Sequence, residues 1–170
     1  IRPIKKVGLA ISMGVGKTRI GIKHMIENYS FYAKFLVVAP KKSVFIAWKD
    51  ELALTKSEYL LEHITFVTYR SLHKVTKDDY TVVYLDECHN LLYSHDDYLK
   101  SCKNKIVGLT GTPPRHAGSE KARMIYRYCP ISYEYVTDDA VDDSVLNDYN
   151  IIIHQVPIGI TNDIKVMMKD

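Results

Sequence analysis

Ser12-Met13-Gly14-Val15-Gly16-Lys17-Thr18 stands between an apolar run and a helical pattern, and it decides the fold. Upstream, Val7-Gly8-Leu9-Ala10-Ile11 has the composition of a buried strand. Downstream, Arg19 to Tyr29 carries Ile20, Ile22, Met25 and Ile26 at helical spacing. A glycine-bearing turn ending in Gly-Lys-Thr between strand and helix is the P-loop arrangement. Its glycines let backbone N–H groups converge on a phosphate, and the helix N-terminus adds its dipole. Lys17 can then reach the terminal phosphates and Thr18 can hold Mg²⁺, so Met13, Gly14, Val15, Gly16, Lys17, Thr18 and Arg19 form a candidate nucleotide cradle. The strict pattern places a glycine five positions before Gly16, where this chain has Ile11. In isolation the stretch equally describes a β–α turn with a surface lysine.

The rest of the chain repeats the strand–helix alternation. Strands are predicted over 7–11, 35–39, 64–68, 81–85 and 105–110, and helices over 17–29, 43–54, 69–75, 94–102 and 118–129. Near-continuous apolar strands separated by helices predict an α/β fold with a mostly parallel sheet covered on both faces. Ligands of such sheets sit at the carboxyl ends of the strands. Each distinctive motif here lies just after a predicted strand. Asp138 to Asp148 reads as an acidic turn and helix, and Asn150 to Ile158 as a final strand.

Bulk properties narrow the class. A chain of 170 residues is long enough for one α/β domain, burying about 70% of its unfolded surface. No run has the length and apolarity of a membrane span, and no secretory leader pattern opens the chain. Cys88, Cys102 and Cys129 are dispersed, with no C-x-x-C, which argues for reduced thiols and against a disulfide or zinc framework. A cytoplasmic setting is therefore expected, with no membrane partner. The net charge of +3 is uneven: ten Lys and Arg but only one acid, Glu27, precede Asp50, whereas Glu134 to Asp148 holds six acids and no cation. A basic first part suits phosphate-bearing ligands.

After the strand at 81–85 comes Asp86-Glu87-Cys88-His89. An apolar strand ending in Asp-Glu is the partner a P-loop needs. Asp86 would hold Mg²⁺, and Glu87 would orient and deprotonate the attacking water. The two are adjacent because metal and water lie on the same side of the terminal phosphate. A metal site built from Asp86, Cys88 and His89 is discounted, since neighbours this close in sequence rarely converge without further ligands.

In this context Asp-Glu-Cys-His resembles the D-E-x-H motif II of superfamily 2 helicases and translocases. Other stretches match in order. Ser12 to Thr18 resembles motif I. Val37-Val38-Ala39-Pro40-Lys41, followed by Trp48 and Glu51, is similar to motif Ia with the W-x-x-E continuation of the Swi2/Snf2-like branch. Thr65-Phe66-Val67-Thr68-Tyr69 resembles the next nucleic-acid contact motif, and Gly108-Leu109-Thr110-Gly111-Thr112-Pro113 resembles motif III. Leu146-Asn147-Asp148-Tyr149-Asn150-Ile151 is similar to the segment that closes the first motor domain of phage and restriction-type relatives.

The resemblance implies a RecA-like first motor domain over residues 1–158, with 159–170 as a tail or linker toward a second. It implies ATP and Mg²⁺ as cofactors and nucleic acid, preferably DNA, as partner. It carries Lys17 and Thr18 to phosphate and Mg²⁺, Asp86 to Mg²⁺, and Glu87 to the role of base. His89, Thr110, Gly111 and Thr112 would couple nucleotide state to the nucleic-acid face, along which Pro40, Lys41, Lys42, Thr68, Tyr69 and Arg70 would lie. Contacts of this kind read backbone rather than bases, so binding is expected to be sequence-tolerant and salt-sensitive. Trp48 reads as a helix core anchor, with a base-stacking platform as the alternative. His24, His63, His73, His95, His116 and His154 show no ligand spacing.

The family places motifs IV to VI and an arginine finger, worth roughly 10³–10⁵ in rate, on a second RecA-like domain in cis or trans. The residues present here are thus expected to bind ATP weakly and turn it over poorly alone. No Gln-bearing adenine motif precedes Ser12. Two other readings stay open: a nucleotide-gated nucleic-acid-binding module without turnover, and a P-loop kinase for a small acceptor.

Overall fold

The computed structural model describes residues 5–76, 80–102 and 104–148. Its strands are β1 (Lys6–Ile11), β2 (Phe35–Ala39), β3 (Ile64–Thr68), β4 (Val82–Asp86), β5 (Lys105–Thr110) and β6 (Ile131–Tyr135). Its α-helices are α1 (Lys17–Glu27), α2 (Ser43–Leu54), α3 (Asp96–Ser101), α4 (Glu120–Tyr128) and α5 (Thr137–Asp142). All six strands join one sheet in the order β3-β2-β4-β5-β1-β6, and every pairing is parallel.

Alternation along the strands builds two cores. Phe35, Val37, Val82, Tyr84, Val107 and Leu109 face one side, where Ile22 and Met25 of α1 and Trp48 and Leu52 of α2 cover them. Leu36, Val38, Val83, Leu85 and Ile106 face the other, under Leu99 of α3 and Met124, Ile125 and Tyr128 of α4. Strands β2 and β4 are buried along their whole length, as expected of central parallel strands. Ser119 starts α4 by accepting the Ala122 N–H at 3.2 Å.

Several expectations are corrected. The helix expected over 69–75 is a 3₁₀ turn, Tyr69–Lys74. Its three-residue period stacks Tyr69 and Leu72 on one side, and both are buried. The helix expected over 94–102 divides into a 3₁₀ turn, Tyr93–His95, and α3. A 3₁₀ turn at Glu58–His63 and strand β6 were not expected. The predicted strand at 150–158, the tail 159–170 and residues Tyr149 to Ile151 of the closing segment lie outside the described residues.

Parallel strands deliver their carboxyl ends to one edge. The order puts the end of β5 between the ends of β4 and β1, with β2 and β3 beyond β4 and β6 beyond β1. The phosphate-loop, acidic and Thr-Gly-Thr motifs therefore share the middle of one rim, and the Pro40–Lys42 and Thr68–Arg70 segments share its flank.

Candidate nucleotide site and nucleic-acid track

The turn between β1 and α1 owes its shape to two glycines. Gly14 (φ 84°) and Gly16 (φ 98°) take left-handed conformations that disfavour a side chain. Gly16 is the residue before α1, and no side chain caps the helix. No acid occupies its first turn either. The first N–H groups of α1 are thus left for an incoming anion, which the helix dipole also favours. Ile11 ends β1 and is 3% exposed. The residue that departs from the strict motif therefore serves the core, and the turn proper begins at Ser12. Ser12 anchors this turn: its N–H donates to Tyr135 O at 3.0 Å, and its hydroxyl lies 3.0 Å from Thr137 Oγ1. Met13 is exposed.

Lys17 Nζ lies 3.8 Å from Glu87 Oε1. Gly111 lies close to the lysine: a Cβ there would come within 3.2 Å of Lys17 Nζ and 3.3 Å of Ile11 O. Glu87 has left-handed backbone (φ 49°), uncommon for a residue with a Cβ. Its amide donates to Asp86 Oδ1 at 3.0 Å.

Asp86 is 5% exposed. Its other carboxylate oxygen, Oδ2, accepts the Trp48 indole N–H at 2.8 Å. Its backbone carbonyl accepts the Tyr69 hydroxyl at 2.9 Å. Burial pushes the Asp86 pKa above the usual carboxylate value. The Trp48 bond opposes that shift, the neighbouring Glu87 adds to it, and the Glu87 amide and Lys17 oppose it.

His89 Nδ1 lies 2.9 Å from Thr110 Oγ1, 3.1 Å from Thr112 Oγ1 and 3.5 Å from Glu87 Oε2. The Thr112 amide donates to Thr110 Oγ1 at 3.1 Å. Burial, the largest influence, lowers the His89 pKa, and Glu87 works against it. A single hydrogen-bonded group thus joins the acidic motif to the loop after β5.

Thr18 follows Lys17 in the first turn of α1. Arg19 pairs through Nε with Glu51 of α2, which turns it toward that helix. Among the described residues no three His, Cys, Asp or Glu side chains gather to hold a metal by themselves. Thr18 and Asp86, the residues expected at the metal, carry hard oxygen donors. Such donors fit Mg²⁺, which usually keeps several waters and binds through one or two carboxylates plus substrate phosphates.

On the flank, Lys41, Lys42 and Arg70 are exposed and Pro40 and Thr68 half-buried. A cleft of about 690 Å³ adjoins them, lined in part by Pro40, Tyr69, Arg70, Asn90 and Asp97. Tyr69 lines this cleft but offers little surface to it. It is only 5% exposed, and its hydroxyl is committed to Asp86.

Trp48 is wholly buried, as a core anchor should be. Its bond to Asp86 was missed in the sequence. The available signal was chemical: a buried tryptophan usually finds a partner for its N–H. His24, His63 and His95 likewise have structural partners. His24 Nδ1 lies 2.7 Å from the Tyr84 hydroxyl, His63 Nδ1 lies 2.9 Å from Ala33 O, and His95 Nδ1 accepts the Leu92 N–H at 3.0 Å.

The family described as "Type III restriction enzyme, res subunit" matches residues 3–115, more than half of the chain. Two African swine fever virus proteins described as "Putative ATP-dependent RNA helicase QP509L" are similar. The protein of a Kenyan pig isolate is 29% identical over 141 residues, covering 66% of this chain and 26% of that protein. The protein of a Malawian tick isolate is 30% identical over 139 residues, covering 65% of this chain and 26% of that protein. The chain thus spans about a quarter of the length of these curated relatives. Among solved structures, the Pyrococcus furiosus Hef helicase domain aligns with TM-score 0.58 at 16% identity, over 76% of this chain and 35% of that one. The UvsW helicase of bacteriophage T4 aligns with TM-score 0.60 at 15% identity, over 76% of this chain and 54% of that one. These structural likenesses concern the fold. The family match and the fold agree: the fold is that of a RecA-like helicase domain, and the chain belongs to the family of the type III restriction enzyme res subunit.

Proposed function

We propose that this domain binds Mg·ATP at the Lys17–Glu87 pocket and serves an ATP-driven motor that moves on nucleic acid. The observation that carries the proposal is the 3.8 Å approach of Lys17 Nζ to Glu87 Oε1. It leaves a basic phosphate ligand and an acidic base on two sides of one pocket. Gly14, Gly16 and the start of α1 present backbone N–H groups to the phosphates, and Lys17 adds charge. Thr18 and Asp86 would hold Mg²⁺, which supplies charge neutralisation of the phosphates when bound. Glu87 orients a water and accepts its proton. His89 touches Glu87 and the loop after β5 together, so a change at the terminal phosphate reaches Thr110, Gly111 and Thr112.

The polymer we propose is DNA, held through phosphates by Lys41, Lys42 and Arg70 with Pro40 and Thr68 beside them. The resemblance of the Trp48–Glu51 and Gly108–Pro113 segments to the Swi2/Snf2-like branch supports DNA. A second reading, RNA, is favoured by the description of the viral relatives. A second RecA-like domain, in cis or trans, would complete the site with an arginine. Residues 1–158 form the motor domain in this proposal.

The test is ATP turnover by the intact protein with duplex DNA, duplex RNA or neither. Stimulation by DNA is expected, stimulation by RNA alone favours the second reading, and equal rates in all three contradict the motor.

A further inference from the structure

Trp48 lies 38 residues before Asp86 in the chain, yet its indole N–H reaches the Asp86 carboxylate at 2.8 Å. The other carboxylate oxygen is held by the Glu87 amide at 3.0 Å. One fixed donor on each oxygen sets the rotation of the carboxylate and leaves each oxygen a free lone pair. Trp48 is itself immobile. It is wholly buried, and its ring packs against Tyr84, two residues before Asp86, at 5.9 Å between centroids. On the other side it fills the space that a Gly21 side chain would need: a Cβ there would come within 2.7 Å of Trp48 Cη2. A rigid indole wedged between α1 and β4 therefore points its only donor at the carboxylate that ends β4.

We infer that Trp48 is a positioning residue for the metal site, its indole N–H fixing the Asp86 carboxylate in the orientation that receives Mg²⁺. The inference rests on the proposed role of Asp86. It also gives α2 a second task, since this helix begins directly after Lys41 and Lys42. One rigid element then carries both the candidate track cations and the donor that aims the metal ligand. Glu51, three residues on, adds a link by pairing with Arg19 beside Thr18. Outer-shell partners of this kind typically change metal affinity by roughly 10–100-fold when removed.

The experiment replaces Trp48 in the intact protein with benzothienylalanine, which keeps the shape of the indole and removes the N–H. Mn²⁺ binding in the presence of ADP is followed by electron paramagnetic resonance, well below the melting temperature. The Mn²⁺ midpoint is expected to rise at least about tenfold, while a role confined to packing would leave the isostere's midpoint at the wild-type value. Should the isostere fail to fold, Gly21→Ala displaces the indole without changing its chemistry, and a raised midpoint is again expected. An unchanged midpoint in the folded variant overturns the positioning role. Asp86→Asn in the same titration separates the two levels. If it too leaves the midpoint unchanged, the metal role of Asp86 fails, and the inference with it.

Discussion

Lys17 Nζ and Glu87 Oε1 stand 3.8 Å apart although their strands, β1 and β4, are separated by β5. Two strand spacings are about 10 Å, so only long side chains reaching over the end of β5 can meet. Gly111, the residue that follows β5, leaves room beside the Lys17 end of this contact.

Gly111→Ala tests that room. The added methyl would stand 3.2 Å from Lys17 Nζ and 3.3 Å from Ile11 O. The lysine tip yields more readily than the backbone. The kcat/KM for ATP is expected to fall by up to about 100-fold, the scale that a misplacement of about 1 Å costs a site, and the melting temperature is expected to fall because the Ile11 backbone must give. Steady-state kinetics and thermal melting check both parts.

Gly21→Ala tests the packing of α1 on Trp48. Alanine favours a helix interior by about 1 kcal/mol over glycine. Here the methyl would lie 2.7 Å from Trp48 Cη2, and both residues are buried. Overpacking costs about 1–3 kcal/mol and outweighs the propensity gain. A net loss of up to about 2 kcal/mol is expected in chemical denaturation.

Stability should fall on acidification through the histidine range. Burial is the largest influence lowering the pKa of His24, His89 and His95. Their unfolded forms take up protons below about pH 6.5, while the folded forms resist. The contribution is therefore complete above the unfolded value and lost as pH drops toward the folded one. His95 shows why, since its Nδ1 accepts the Leu92 N–H and cannot do so when protonated. Melting temperatures measured across this range should decline with falling pH, and His95→Asn should make the decline shallower.

Lys41 and Lys42 are predicted to hold phosphates. Each alanine substitution should weaken binding to all sequences alike. It should also reduce the slope of log affinity against log salt by about 1. Binding isotherms at several salt concentrations give the slope directly.

The strands were legible because central parallel strands must be apolar on both faces. The expected runs at 35–39 and 105–110 coincide with β2 and β5, and the edge strand β3, at 64–68, was legible from its β-branched and aromatic residues. Strand β6 escaped because Ile131-Ser132-Tyr133-Glu134-Tyr135 is an edge strand with three exposed positions, so burial never shaped its composition. The phosphate-loop and acidic motifs were legible because their chemistry is local in sequence. The burial of Tyr69 was not legible for the opposite reason: a 3₁₀ rather than α-helical period turns it inward, and nothing within the segment announces that choice. The Trp48–Asp86 bond joins residues whose closeness depends on how α2 packs against β4, which no spacing encodes.

The pairing of Lys17 with the Asp86–Glu87 couple in one nucleotide pocket is tested most directly by Glu87→Gln in the intact protein. ATP turnover at saturating Mg²⁺ and nucleic acid is measured beside nucleotide binding. Turnover is expected to fall at least about 100-fold, with nucleotide binding retained because the phosphate loop and Asp86 are untouched. Wild-type turnover in the Glu87→Gln protein would contradict the assignment.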